Sequence, residues 1–185
     1  MIGVTLLIAL LISSCSDSAT PKPRGHFRID LPDKGYISYD SICPFTFEYP
    51  NYGVIAKEKG AMEPCWFNIE FPEYKGKIHL SYKAVDNNID LLIEDSHKLA
   101  YKHSVKADAI EESYWENREK RVYGTVYLIS GNAASSIQFY VTDSVENYLR
   151  GSLYFATTPN KDSLAPVIDF FRRDVIHLVE TLEWK

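Results

Sequence analysis

The chain has 185 residues, 45% of them apolar and 24% charged, with a formal net charge of −5 at pH 7. That length suits one domain with a sizeable core. The mild acidity excludes the basic stripe of a nucleic-acid surface and electrostatic adhesion to anionic lipid.

The first element is an apolar stretch from Ile2 to Ile12, followed by Ser13-Ser14-Cys15 and then Ser16-Asp17-Ser18. About eleven residues at ~1.5 Å rise cover roughly half of a ~30 Å hydrocarbon core, too little for a transmembrane helix. The stretch is apolar all round and lacks the stripe of a soluble core helix. A signal peptide over residues 1–14 fits, although no Lys or Arg precedes the apolar run. A branched aliphatic, two small residues and a cysteine make a lipobox. Ser13 and Ser14 let a peptidase approach the backbone, and the Cys15 thiol receives the lipid. Acyl chains of the palmitate kind on Cys15 then attach the protein to a membrane. The attached protein lies in the cell envelope facing the periplasm, on the inner or the outer membrane.

Residues 15–25 carry Pro21, Pro23 and Gly25 among small polar residues, the composition of an extended tether. Residues 26–185 form one domain, entered through Gly25-His26-Phe27-Arg28-Ile29-Asp30-Leu31-Pro32. Phe45 to Tyr49 alternates as a short strand that stops at Pro50. Trp66 to Phe71 and Lys77 to Val85 place Phe67, Ile69, Phe71, Ile78, Leu80 and Tyr82 on single faces, and the Lys75-Gly76 turn joins them as a hairpin. At Asn87, a candidate N-cap, the period changes. Ile89, Leu92, Ile93, Ser96 and Ala100 follow helical spacing.

Ala109 to Trp115, Val122 to Ser130, Ser135 to Val141 and Tyr148 to Phe155 then read as strands with short polar connections, which favours an antiparallel meander. A long helix closes the chain from about Asp162. Leu164, Val167, Ile168, Phe171, Val175, Leu178 and Leu182 form its buried stripe, with Arg172, Arg173 and Asp174 largely off it and Trp184 pinning the last turn. Val126 and Leu128 oppose Tyr123, Tyr127 and Ile129, so bulky residues occupy both faces of that strand. Helices are therefore expected on both sides of the sheet. The fold class is α+β, a mostly antiparallel sheet covered by helices, and the order of elements resembles the Mog1/PsbP-like sandwich.

With Cys15 lipidated, Cys43 and Cys65 remain as an even pair in an oxidising compartment. They form either a disulfide or two separately buried thiols. Neither has a Cys or His within a few positions, which disfavours a metal site. Ser135 and Ser136 lack a G-x-S-x-G elbow or an S-x-x-K motif and suit a strand opening better than catalysis. His79, His97, His103 and His177 are scattered, and His97 and His103 stand six apart rather than at the i, i+4 spacing of ligands. Glu111 and Glu112 alternate across a strand, a poor geometry for paired-carboxylate hydrolysis. Asp143 has a turn-forming role. No cofactor motif is present.

Thirteen tyrosines stand out. They either pack on a doubly covered sheet or supply recognition surfaces with a polar tip. Two candidate partner-binding patches follow: Tyr148 with Arg150, and the loop around Tyr52, Met62 and Trp66.

Several blocks carry a resemblance. Cys43-Pro44-Phe45-Thr46-Phe47-Glu48-Tyr49-Pro50, Cys65-Trp66-Phe67-Asn68-Ile69, Ile78-His79-Leu80-Ser81-Tyr82-Lys83, Lys102-His103-Ser104-Val105-Lys106-Ala107, Gly131-Asn132-Ala133-Ala134-Ser135-Ser136 and Leu149-Arg150-Gly151-Ser152-Leu153-Tyr154-Phe155 are in order along the chain. Together they resemble the gliding-motility lipoproteins of the GldD family. The resemblance implies an envelope accessory or scaffold protein of gliding and type IX secretion, with other envelope proteins as partners and no catalytic residues. A periplasmic hydrolase or glycan-binding module is the alternative.

Overall fold

Alternating side chains and short turns build most of this protein as antiparallel sheet. The computed structural model describes residues 29–185 apart from 59, 62 and 103. The expected signal peptide, the lipidation at Cys15, the tether, Met62 and His103 lie outside the described residues. The described residues form ten strands: β1 (Tyr36–Tyr39), β2 (Phe45–Pro50), β3 (Val54–Lys57), β4 (Trp66–Phe71), β5 (Gly76–Ala84), β6 (Ala107–Asn117), β7 (Val122–Gly131), β8 (Ser135–Thr142), β9 (Asn147–Phe155) and β10 (Glu183–Trp184). Helix α1 (Ile89–Tyr101) lies between β5 and β6, and α2 (Lys161–Thr181) follows β9. Among the described residues no helix is long and apolar enough to cross a membrane.

Seven strands pair in the order β3-β4-β5-β9-β8-β7-β6, every pair antiparallel, and β1-β2-β10 form a second, small sheet. The expected β4–β5 hairpin and the β6–β9 meander are both present. The meander begins at the far edge and walks back until β9 pairs with β5, and α1 carries the chain across the sheet to that edge. Strands β1, β3 and β10 were missed in the sequence because each has four residues or fewer. Trp184 is a strand residue rather than a helical pin. It pairs with Phe45 of β2, and its indole N–H donates to the carbonyl of Arg121 at 3.2 Å.

The pleat sends alternate residues to two different cores. One face carries Phe67, Ile69, Phe71, Ile78, Leu80, Phe139 and Leu149, packed against Phe171, Val175 and Leu178 of α2 and Phe45 and Phe47 of β2. The other carries Tyr127, Ile129, Tyr140 and Tyr148 beneath Leu92 and Ala100 of α1. Helices thus cover both sides, as expected from the two-sided strands. Gly151 is needed on the first face, because a Cβ there would stand 2.2 Å from the Phe139 ring.

The helix starts differ from each other. Asn160 caps α2, its side chain accepting from the Ser163 N–H at 3.2 Å. For α1 the expected cap is corrected: Asn87 has φ of 51°, and the boundary residue Asn88 turns its side chain to the Asp86 N–H instead.

Asp174 also corrects the sequence reading, because it is fully buried. Lys34 Nζ lies 2.7 Å from both its carboxylate oxygens, and the hydroxyls of Tyr36 and Tyr52 donate to it at 3.0 and 2.6 Å. Lys34 also stands 3.1 Å from the centroid of the Phe170 ring, a cation–π contact. A buried carboxylate needs this full set of partners. The cluster seats the segment leading into β1 on α2.

Cys43 and Cys65 form a disulfide, with Cα atoms 5.7 Å apart. Cys43 leads into β2 and Cys65 into β4, so the bond staples the small sheet to the large one. Closing a loop of 22 residues should contribute about 3 kcal/mol through the unfolded state. Urea unfolding with and without reductant is expected to show that loss, and coincident midpoints would contradict it.

Candidate functional site

A groove of about 500 Å³ opens where α1 stops covering the second sheet face. Trp66 of β4, His79, Ser81 and Lys83 of β5, and Tyr148 and Arg150 of β9 form its floor and one wall. Asp95 and Lys98 of α1 and Lys102 just after it line the other wall. A hollow of about 600 Å³ near Lys106 and Asn132 is larger, but it is walled by loop residues and holds no buried ionisable group. The groove is the stronger candidate because half-buried charged and ring side chains converge in it.

The pairing registers explain the convergence. One row across the sheet runs Asn68, His79, Ser152, Gln138, Tyr127. The next runs Trp66, Ser81, Arg150, Tyr140. Residues opposite Arg150 or diagonal to it on β5 stand within reach of a long side chain.

Arg150 Nη2 donates to Gln138 Oε1 at 2.5 Å, and burial pushes the Arg150 pKa down. Asn68 Nδ2 donates to Glu58 Oε2 at 2.7 Å, which leaves Asn68 Oδ1 as the acceptor 2.8 Å from His79 Nδ1. That assignment puts the ring proton on Nδ1 and the lone pair on Nε2. Burial lowers the His79 pKa against the upward pull of Glu58, which favours the neutral ring. Trp66 is held as a fixed wall by donating from Nε1 to the Tyr82 carbonyl at 2.6 Å.

Of the four candidate partner-binding residues, Trp66, Tyr148 and Arg150 come together here. Tyr52 does not, since its hydroxyl is committed to Asp174 on the other side of the sheet. Tyr148 is 2% exposed, its hydroxyl donating to the Leu92 carbonyl at 2.8 Å and 2.5 Å from Ser96 Oγ. It therefore holds α1 in place rather than presenting a phenol to a partner. His79, Lys83 and Lys102 join the groove without being expected there from the sequence. The available signal was the polar alternation Lys77-His79-Ser81-Lys83 on a strand whose other face is apolar.

Ser135 is buried, and its hydroxyl donates to the carbonyls of Ile137 and Leu153, the role of a strand opener. Asp143 accepts from the backbone N–H groups of Val145, Glu146 and Asn147, which hold its carboxyl below the usual range against the opposing effect of burial. Among the described residues no group of three His, Cys, Asp or Glu side chains could hold a metal.

The tyrosines near Asp174 and α1 are internal hydrogen-bonding groups, with a consequence for stability. Burial raises Tyr36 and Tyr127 to about 12, with Asp174 adding to the effect at Tyr36 and Tyr140 at Tyr127. A group whose folded pKa is raised contributes its stability in full below the unfolded value, about 10, and loses it as pH climbs to the folded value. The urea midpoint should therefore fall between about pH 10 and about pH 12 while tyrosinate absorbance rises with unfolding. A constant midpoint across that window would contradict the burial of these phenols.

Comparison with curated proteins gives no match. Among solved structures, the chain is similar to the cyanobacterial PsbP (CyanoP) of Synechocystis sp. PCC 6803, seen in solution. The match has 12% identity and a TM-score of 0.51, covering 89% of this chain and 98% of that one. At that identity the likeness shows the fold, and it agrees with the PsbP-like sandwich expected from the order of elements. A family model described as gliding motility lipoprotein GldD matches residues 16–184, most of the chain, and the chain belongs to that family.

Proposed function

We propose that this protein is a lipid-anchored, periplasm-facing scaffold of the gliding and type IX secretion assembly and catalyses no reaction of its own. The observation that carries the reading is the family match over residues 16–184, which begins one residue past Cys15. The lipobox supports the anchor. Several acyl chains on one cysteine give stable attachment at ~0.8 kcal/mol per buried methylene. Residues 15–25 then act as the tether and residues 26–185 as the domain held above the bilayer. Partners are other envelope proteins of the machinery. The engagement of Ser135 with two backbone carbonyls supports a non-enzymatic role.

Deleting the gene is expected to impair surface spreading and secretion of type IX cargo. The wild-type gene should restore both, and a Ser135→Ala, Ser136→Ala double variant should restore them equally. An exported but unlipidated Cys15→Ser form at the same abundance should not. Full rescue by Cys15→Ser would sink the anchored reading, and failure of the serine variant, if it is folded, would favour an enzyme.

A further inference from the structure

The groove beside α1 has a charge imbalance that the fold does not use. Arg150, Lys83, Lys98 and Lys102 line it against the single carboxylate of Asp95. Lys98 is engaged by Glu94 at 2.7 Å. Arg150 meets only the neutral amide of Gln138, and among the described residues no carboxylate pairs with it, with Lys83 or with Lys102. A half-buried guanidinium without a counter-charge is costly to hold. Its planar fork of donors matches a phosphate or carboxylate.

Behind the guanidinium lie two further unused groups. Among the described residues, Gln138 Nε2 and Ser152 Oγ have no hydrogen-bond partner, and both residues are 1% exposed. They are cross-strand neighbours, and Ser152 is paired in turn with His79. His79 adds a requirement of the opposite kind. Its Nε2 lone pair accepts a hydrogen bond, so it repels a bare anion and suits a hydroxyl. The indole of Trp66 supplies an apolar wall, and about 500 Å³ is the size of a small-ligand site.

We propose that this groove binds a phosphorylated polyol, with the phosphate on Arg150 and Lys83 and a ligand hydroxyl on His79 Nε2. The excess of cations favours a phosphate over a singly charged carboxylate. With Nδ1 committed to Asn68, the free Nε2 acceptor offers a polyol hydroxyl a contact additional to those of its phosphate, which phosphate alone lacks. Such a group could be a free solute or the headgroup of a glycerophospholipid. The site goes beyond the scaffold role and does not depend on it.

The test is isothermal titration of the full-length protein in neutral detergent with glycerol 3-phosphate, inorganic phosphate and glycerol. Glycerol 3-phosphate should bind one site with a Kd at or below about 1 mM, inorganic phosphate more weakly and glycerol not at all. Arg150→Gln should weaken glycerol 3-phosphate binding about tenfold or more, as expected for lost charge-assisted bonds. Lys83→Gln, at an exposed position that leaves the fold undisturbed, should also weaken it, and Arg118→Gln outside the groove should not. His79→Phe should remove the preference for glycerol 3-phosphate over inorganic phosphate. Competition by monomeric short-chain phosphatidylglycerol, but not phosphatidylcholine, would assign the headgroup source; binding without that competition would assign the free solute. The absence of saturable binding by glycerol 3-phosphate, or binding indifferent to both Arg150→Gln and Lys83→Gln, would overturn the proposal.

Discussion

The buried carboxylate of Asp174 is the constraint around which the N-terminal part of this fold is arranged. A charge with no exposure must be matched from several directions, and here the partners arrive from three parts of the chain. Lys34 comes from the segment before β1, Tyr36 from β1 itself and Tyr52 from the turn after β2. Meeting that demand brings the small sheet onto α2 and seats the segment leading into β1. The disulfide then ties the same small sheet to β4. In the proposed anchored protein, a pull from the lipid would act along the same segment whose Lys34 and Tyr36 are bonded to Asp174.

On the far side of the large sheet the requirements are different. The α2 face is filled by aromatic and aliphatic side chains, whereas α1 covers only part of the other face. The uncovered part exposes alternate polar residues of β4, β5 and β9. This two-faced sheet separates structural work from recognition. One side holds the domain together and contacts the segment leading into β1, and the other leaves the cationic groove open.

The large elements were legible in the sequence because they repeat a simple period. Trp66 to Phe71 was read with the bounds that the structure has, and the meander followed from strong alternation and polar turns. The PsbP-like sandwich was legible from element order. The short strands were not, since four residues carry too little pattern and their pairing is decided by distant partners. Asp174 was hidden for a related reason. Its position, three residues after Phe171 and four before Leu178, lies on the buried stripe by helical spacing. Its charge argued against burial until Lys34, 140 residues away in the chain, was brought beside it. The two candidate patches were likewise split in the sequence. Trp66 and Arg150 share a groove only because β4 and β9 flank the same strand, β5.

The N-terminal segment is clamped to α2 through the Asp174 carboxylate. The direct test is hydrogen exchange combined with urea unfolding of an Asp174→Ala variant. The expected result is a loss of about 3 kcal/mol or more, as for a broken buried pair, with early exchange of the Tyr36–Tyr39 amides. Unchanged stability together with wild-type protection across β1 would contradict it.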